Sequence, residues 1–284
     1  MIDKKAGLYI VSTPIGNFKD ITLRAIETLK ESDMIFCEDT RISKILLAKH
    51  NINTQLQVYN DHSSEEERNK ISNFIDLGMK ISLISDAGTP LISDPGYKLV
   101  RELKRKNYYV EVIPGVSSLI TALTISQLPS DSFFFAGFLP KTIHKKKKIF
   151  QQLTSLEATL VFFDTAPRLI ESLQIAMDVY GDREACVARE LTKIYQETKF
   201  NILSEIIKFY QHNSPRGEIV ILISGKPAQL TQEHMADDVK NYIIICLAQN
   251  LSIKDTAQKA YEKFNAYYLK KELYKIANNL KSNI

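Results

Sequence analysis

Ser85-Asp86-Ala87-Gly88-Thr89-Pro90-Leu91-Ile92-Ser93-Asp94-Pro95-Gly96 follows directly on Ile81-Ser82-Leu83-Ile84. The four-residue apolar run reads as a buried strand. The twelve residues after it hold two Gly, two Pro and two Asp, a composition that makes a stiff, tightly turning loop at the strand's end. In an open α/β sheet, ligands lie outside the carboxyl ends of the strands. The loop is therefore a candidate small-molecule site.

Outward from this loop, short apolar runs alternate with helical patterns. Leu8 to Val11, Met34 to Cys37 and Tyr109 to Ile113 read as further strands. Leu23, Ile26 and Leu29 stand at helical spacing, and Arg41 to His50 and Tyr97 to Lys106 read as helices. Ser63-Ser64-Glu65-Glu66 resembles a capping box that opens a helix reaching Gly78. A further helix follows Gly115. This alternation predicts a largely parallel sheet with helices on its faces.

Leu128-Pro129-Ser130-Asp131 reads as a domain junction. Beyond it, strands are predicted at 133–138, 158–163, 185–188, 199–203 and 219–223, with helices near 145–154, 168–180 and 204–212, which describes a mixed sheet. A second linker runs from Pro227 to Met235. The tail has helical periodicity with a break at Asn265-Ala266, in the manner of a helix-turn-helix unit. The expected organisation is an α/β domain over 1–128, a second α/β domain over 129–228 and a small helical module over 236–284.

The chain has 284 residues, 44% of them hydrophobic and 25% charged, the composition of a soluble globular protein with room for a large core. A net charge of +4 is compatible with an RNA partner. Cys37, Cys186 and Cys246 are odd in number and far apart, which fits buried free thiols in a reducing cytoplasm. No CxxC or HExxH motif calls for a metal. The polar residues 1–7 lead straight into a strand and do not read as a signal peptide. The apolar run 242–248 is too short to span a bilayer.

Two more loops share the placement of the first: Ser12-Thr13-Pro14-Ile15-Gly16-Asn17, and Pro114-Gly115-Val116-Ser117-Ser118. If their strands are neighbours, all three converge on one cleft. There, backbone groups and a carboxylate such as Asp86 could hold a folded polar ligand such as a nucleoside. Any single such loop is better read as a plain strand-to-helix turn, and it is three in one half, one with paired Asp, that favour a site. Neither G-x-G-x-x-G nor G-x-x-x-x-G-K-[ST] occurs, which disfavours a dinucleotide or a P-loop nucleotide.

These three loops, with Glu38-Asp39-Thr40-Arg41, Gly137-Phe138-Leu139-Pro140 and Ala188-Arg189-Glu190-Leu191-Thr192-Lys193, occur in an order that resembles the tetrapyrrole methylase superfamily. Within it, they resemble the bacterial 16S rRNA cytidine 2′-O-ribose methyltransferases. The resemblance runs from about Gly7 to Gly225 and more weakly through the tail. It implies two α/β domains with S-adenosyl-L-methionine between them, a homodimer, and methyl transfer to a ribose hydroxyl at the decoding centre of the small ribosomal subunit. It assigns the cofactor to Pro14, Ile15, Gly16, Asp86, Gly88, Thr89, Gly115, Ser117 and Ser118, joined by Phe163, Leu191, Gly217 and Glu218. Two departures stand out. The family commonly has a Glu and a His where this chain reads Phe163-Asp164-Thr165-Ala166-Pro167-Arg168, and Val116 stands where many relatives carry Pro.

Methyl transfer from a sulfonium rests on alignment more than on acid–base chemistry. The hydroxyl proton must still leave. Glu190, Asp39 and Asp94 are candidate acceptors, and Lys193 a candidate stabiliser of alkoxide charge. Asp39 or Thr40 also reads as a helix N-cap. Arg41, Arg189, Lys141 and the run Lys145-Lys146-Lys147-Lys148 are candidate RNA contacts. A solvated helix face explains that run as well, and an ion-pair cluster across the domain junction explains Arg189, Glu190 and Lys193. From Val239 onward eight Lys face three acidic residues, an excess of +5 that favours RNA contact by the tail over a helical cap or a dimer contact. A tetrapyrrole or other compact methyl acceptor, and a non-catalytic RNA-binding assembly factor, remain the rival readings.

Overall fold

The computed structural model describes residues 5–60, 63–227, 232–249, 251–264 and 268–281. The chain forms two compact units, one reaching Lys226 and one starting at Pro227.

The first unit begins with a parallel sheet. Its strands are β1 (Gly7–Val11), β2 (Met34–Cys37), β3 (Leu56–Val58), β4 (Lys80–Leu83) and β5 (Val110–Ile113), in the order β3-β2-β4-β1-β5. The crossovers are α1 (Leu23–Glu31), α2 (Thr40–Lys49), α3 (Glu65–Asp76) and α4 (Tyr97–Arg105), and α5 (Ser118–Ile125) follows β5. Leu8, Ile10, Ile81 and Leu83 pack with Leu99 and Leu103, while Tyr9 and Val11 meet Ala25 and Leu29. A strand covered on both faces is apolar at nearly every position, which is why β1 and β2 show as runs; β4 also buries Lys80 and Ser82, which pair with Glu31 and Ser32. A capping box opens α3 as predicted, but one residue beyond the Ser63/Glu66 spacing of the quoted stretch: Ser64 Oγ accepts from the Glu67 amide, and the Glu67 carboxylate accepts from the Ser64 amide. The edge strand β3 was not predicted. It is three residues long, pairs with β2, and packs Leu56 against the core.

The second sheet comprises β6 (Phe133–Phe138), β7 (Thr159–Thr165), β8 (Glu184–Arg189), β9 (Glu197–Ile202) and β10 (Glu218–Ile223), in the order β6-β7-β10-β8-β9. Only β6 and β7 run parallel, and the remaining pairs are antiparallel, so the sheet is mixed as expected. Helices α6 (Ile143–Gln152), α7 (Leu169–Tyr180) and α8 (Leu203–His212) contribute Phe150, Leu173, Ala176 and Tyr210 to one of its faces. The other face packs on α5 through Val161, Ala188, Val220 and Leu222 against Leu119, Ala122 and Leu123.

The second unit holds α9 (Gln232–Ala248), α10 (Ile253–Phe264) and α11 (Lys270–Lys281) around Val239, Ile243, Ala260, Phe264, Leu273 and Ala277. The predicted break at Asn265-Ala266 and much of the predicted linker 227–235 lie outside the described residues. Among the described residues, no helix is long and apolar enough to cross a membrane.

Candidate active site

Strands β4, β1 and β5 are adjacent and parallel, so the loops that follow them leave the sheet at one edge. There they are tied together. Thr13 and Gly88 exchange backbone hydrogen bonds of 2.8 and 3.0 Å. Thr13 Oγ1 donates to the Ser85 carbonyl at 3.0 Å, the Ser12 and Thr89 hydroxyls lie 2.9 Å apart, and Thr89 Oγ1 donates to the Val116 carbonyl at 3.3 Å. Gly115 is demanded by this closeness, because a Cβ there would fall 2.8 Å from the Ser12 Cβ.

The second sheet presents its own edge. β10 is antiparallel to both β7 and β8, which sets Glu218 opposite Thr165 and Ile219 opposite Arg189. The start of β10 therefore sits beside the ends of β7 and β8. Between the two sheets lies a cavity of about 280 Å³. From the first sheet it is lined by Ile15, Asp86, Gly88, Thr89, Asp94, Ser117 and Ser118. From the second it is lined by Phe163, Glu190, Leu191, Gly217 and Glu218. All of these residues were singled out in the sequence.

Five other candidates do not line it. Pro14 is buried, and Gly115 belongs to a shallow depression with Thr22 and Ile120. Gly16 has a packing role: a Cβ there would lie 2.5 Å from Lys193 Cγ and 3.1 Å from the Leu191 carbonyl. Asp39 caps α2, accepts from the Arg41 amide, and is clamped by the Arg41 guanidinium at 2.6 Å. These hydrogen bonds from Arg41 hold its carboxyl down to about 2, so it is a poor proton acceptor. Lys193 acts through its partners, donating at 3.0 Å to both Glu190 and Glu218.

Glu190 is the centre of this corner. Its Oε1 accepts from Lys193 Nζ and from the Glu218 amide, each at 3.0 Å. Burial pushes its carboxyl up, but those hydrogen bonds outweigh it and leave the group below its ordinary value. Lys193 is pulled down by burial and pushed further up by its two carboxylate partners, so it remains an ammonium. Asp86 behaves differently: burial raises its carboxyl, an amide hydrogen bond from Asp39 only partly counters this, and the Asp39 charge adds to the rise. The backbone is strained here as well. Leu91 and Ser93 on one loop, and Glu190 and Thr192 on another, adopt φ between 49° and 74°. Such conformations in non-glycine residues concentrate at functional sites.

Several lining residues were missed. Glu38 and Phe138 each lie inside a quoted motif but were given no role. Ile92, Ser93, Thr165 and Ala188 complete the walls with Ile219 and Val220. Asp164 also lines the cavity, in the segment that departs from the family pattern. Its side chain is fully buried, accepts from Ser172 Oγ at 2.5 Å, and pairs with Arg168 at 2.6 Å.

The basic residues divide. Lys141, Lys145, Lys147 and Lys148 are exposed, and so is Arg41. Lys146 is not: its side chain is fully buried and its ammonium lies 2.5 Å from Glu171 on α7. On a helix, positions 146 and 150 share one face, and α6 turns that face onto α7, so Lys146 is withdrawn from the RNA-facing set. Arg189 is withdrawn too. It pairs at 2.9 Å with Glu197 directly across β8 and β9, where Tyr210 also donates to Glu197 at 3.0 Å. That ion pair lies within the second sheet, not across a junction.

Residues 7–207 match the family of tetrapyrrole (corrin/porphyrin) methylases. The chain is 61% identical over 277 residues to the ribosomal RNA small subunit methyltransferase I of Rickettsia prowazekii (strain Madrid E), covering 98% of each protein. It is 41% identical over 255 residues to the protein of that name from Mesorhizobium japonicum, covering 89% of this chain and 85% of that one. Among solved structures, diphthine synthase superposes with a TM-score of 0.59 at 16% identity, over 77% of this chain and 90% of its own, a likeness of fold.

Proposed function

The chain belongs to the tetrapyrrole methylase family, with the ribosomal RNA small subunit methyltransferase I proteins, and on that premise we propose that it moves a methyl from S-adenosyl-L-methionine to the 2′-hydroxyl of a cytidine at the decoding centre of 16S rRNA. The observation that carries this reading is the cavity in which three tied loops of a parallel sheet face the Glu190–Lys193–Glu218 corner of a mixed sheet.

The residues present fit that cofactor. Ile15, Leu191 and Val220 give an almost fully buried apolar wall. Asp86 brings a half-buried carboxylate that can accept from ribose hydroxyls. Gly88, with φ of 84°, puts no Cβ into the cavity beside Ile15, while its own N–H and C=O stay paired with Thr13. At about 280 Å³ the enclosure is near the lower end of small-molecule sites, roughly 300 Å³ and above. When bound, S-adenosyl-L-methionine supplies an activated methyl on sulfur.

The protein's own part is positioning and one proton. Asp94 lines the cavity and would take the hydroxyl proton as the ribose oxygen bonds to the methyl carbon and the methyl–sulfur bond breaks, leaving the neutral thioether S-adenosylhomocysteine. Glu190 is a second lining carboxylate, whose charged form Lys193 and the Glu218 amide stabilise. Lys193 holds two lining carboxylates in place and supplies positive charge behind them. The exposed Lys141, Lys145, Lys147 and Lys148 give a phosphate-binding surface on and beside α6. We place the enzyme in the cytoplasm, consistent with three buried free thiols. A homodimer belongs to this reading, with the half-exposed Val112 on the edge strand β5 and Ile120 on α5 as candidate contacts.

Methyl incorporation from labelled cofactor into 30S particles and naked 16S rRNA, beside corrin precursors, tests the reading. Label at one cytidine 2′-oxygen is expected, together with loss of that modification in cells lacking the protein. Label in the corrin precursor alone, or RNA binding with no heat on titration of the cofactor, overturns it.

A further inference from the structure

Phe138 lines the same cavity but is far more exposed than its apolar wall. Ile15, Leu191 and Val220 are each 5% exposed, whereas Phe138 is 57% exposed and lines the cavity together with Asp94 and Glu190. The ring reaches this position through an irregularity in β6. Phe135 pairs with Val161 and Phe138 with Phe163, so three steps along β6 match two along β7. In a regular strand, residues three apart point to opposite faces. The extra residue reverses that parity, and both rings meet Phe163 edge-on, at centroid distances of 4.8 and 5.2 Å. Gly137 supplies the left-handed turn, with φ of 72°. Bulges beside active sites commonly re-aim one side chain in this way.

We propose that Phe138 is the platform on which the base of the acceptor nucleotide stacks, so that its ribose is presented to the reacting end of the cavity. This rests on the RNA methyltransferase reading. The contact of Phe163 on one side fixes the plane of the Phe138 ring before anything binds, and the exposed remainder is open to a flat partner. A ribose hydroxyl can enter a cavity of this size only if its nucleotide leaves the stack of its neighbours, and extruded bases are held by stacking on aromatic side chains. The loop bearing Asp94 passes beside the bulge, with Ser93 Oγ 3.7 Å from where a Cβ on Gly137 would lie. Platform and proposed proton acceptor thus share one corner.

The test uses the full-length enzyme and three proteins: wild type, Phe138→Ala and Phe138→Tyr. Cofactor affinity is read by calorimetry, and methyl transfer to 30S particles in the steady state. Phe138→Ala is expected to keep its melting temperature and its cofactor affinity while KM for the particle rises about tenfold or more, the effect of losing one stacked base. Phe138→Tyr is expected to restore KM. A cofactor affinity that falls in parallel would assign the ring to the cofactor. An unchanged KM and kcat would remove the base from it. A wild-type enzyme that transfers no methyl to rRNA would end the parent reading and this one together.

Discussion

Gly217 stands so close to Glu190 that a Cβ on the glycine would lie 2.2 Å from Glu190 Oε1. The glycine also has φ of 85°. One position thus both turns the chain into β10 and leaves the slot that the carboxylate fills. In that slot Oε1 receives the Glu218 amide and Lys193.

Gly217→Ala should therefore fail twice. Forced left-handed backbone costs about 1–3 kcal/mol. The displaced carboxylate forfeits a charge-assisted hydrogen bond and lowers kcat/KM by about tenfold or more. Urea melts and methyl transfer measured on the same preparation separate the two. Glu190→Gln adds a pH signature. Because the folded carboxyl titrates below its ordinary value, the stability it contributes is complete above the unfolded pKa, near ~4.3, and is lost as pH falls through the folded one. The stability gap between wild type and Glu190→Gln should shrink steadily below about pH 4.

Lys146 and its neighbours should behave as different kinds of residue. Lys146→Gln leaves Glu171 without its partner and unseats a fully buried side chain. Since Glu171 is itself 45% exposed and can be rehydrated, we expect a loss of about 2 kcal/mol, short of the cost of breaking a wholly buried pair. The salt dependence of rRNA binding should not change. Lys145→Gln and Lys148→Gln should leave melting unaltered and flatten the plot of log K against log salt by nearly one unit for each phosphate contact removed.

Asp86→Asn should trade binding for stability. The folded carboxyl is raised by burial first, so the native state holds its proton more tightly than the unfolded chain does. Stability then falls as pH rises from the unfolded pKa through the folded one, and the deficit is fully present at neutral pH. Asparagine keeps an acceptor for the Asp39 amide and removes the charge. The variant should melt no lower than wild type at pH 7, with any gain fading below about pH 4. Its affinity for S-adenosyl-L-methionine should drop at least about tenfold. Calorimetry and thermal melts across pH report both.

The three cysteines should be silent in the native enzyme. Burial pushes the Cys37 thiol up and raises Cys186 to about 11, and Cys246 is buried as well. Thiolate is the reactive form. A thiol reagent at about pH 8 should titrate none before unfolding and three in denaturant. Native labelling of Cys37 or Cys186 would point to opening of the strands that carry them.

Most of the architecture could be read locally. Strands β1, β2, β6 and β10 show as apolar runs, and the stretch Ser63-Ser64-Glu65-Glu66 announces the start of α3, because a strand core and a helix cap are written within a few residues of each other. The loops after β1, β4 and β5 were legible for the same reason, since Gly and Pro mark turns wherever they fall. β3 was not legible: Leu56 to Val58 has little pattern of its own and exists through its partner. Asp164 and Glu38 were passed over as site residues because nothing adjacent to them in the chain indicates which way they face.

Taken alone, the amino-acid sequence determined the alternation of elements, the three turns, the mixed second sheet and the family. Tertiary structure decided which way each side chain points. It buried Lys146 against α7, set Glu190 in the gap left by Gly217, and carried Phe138 across its sheet through one extra residue. Turns and apolar runs are governed by steric and hydration preferences acting over a few neighbouring residues. Burial, ion pairing and register depend on atoms brought together from distant parts of the chain, and only the packed fold specifies them.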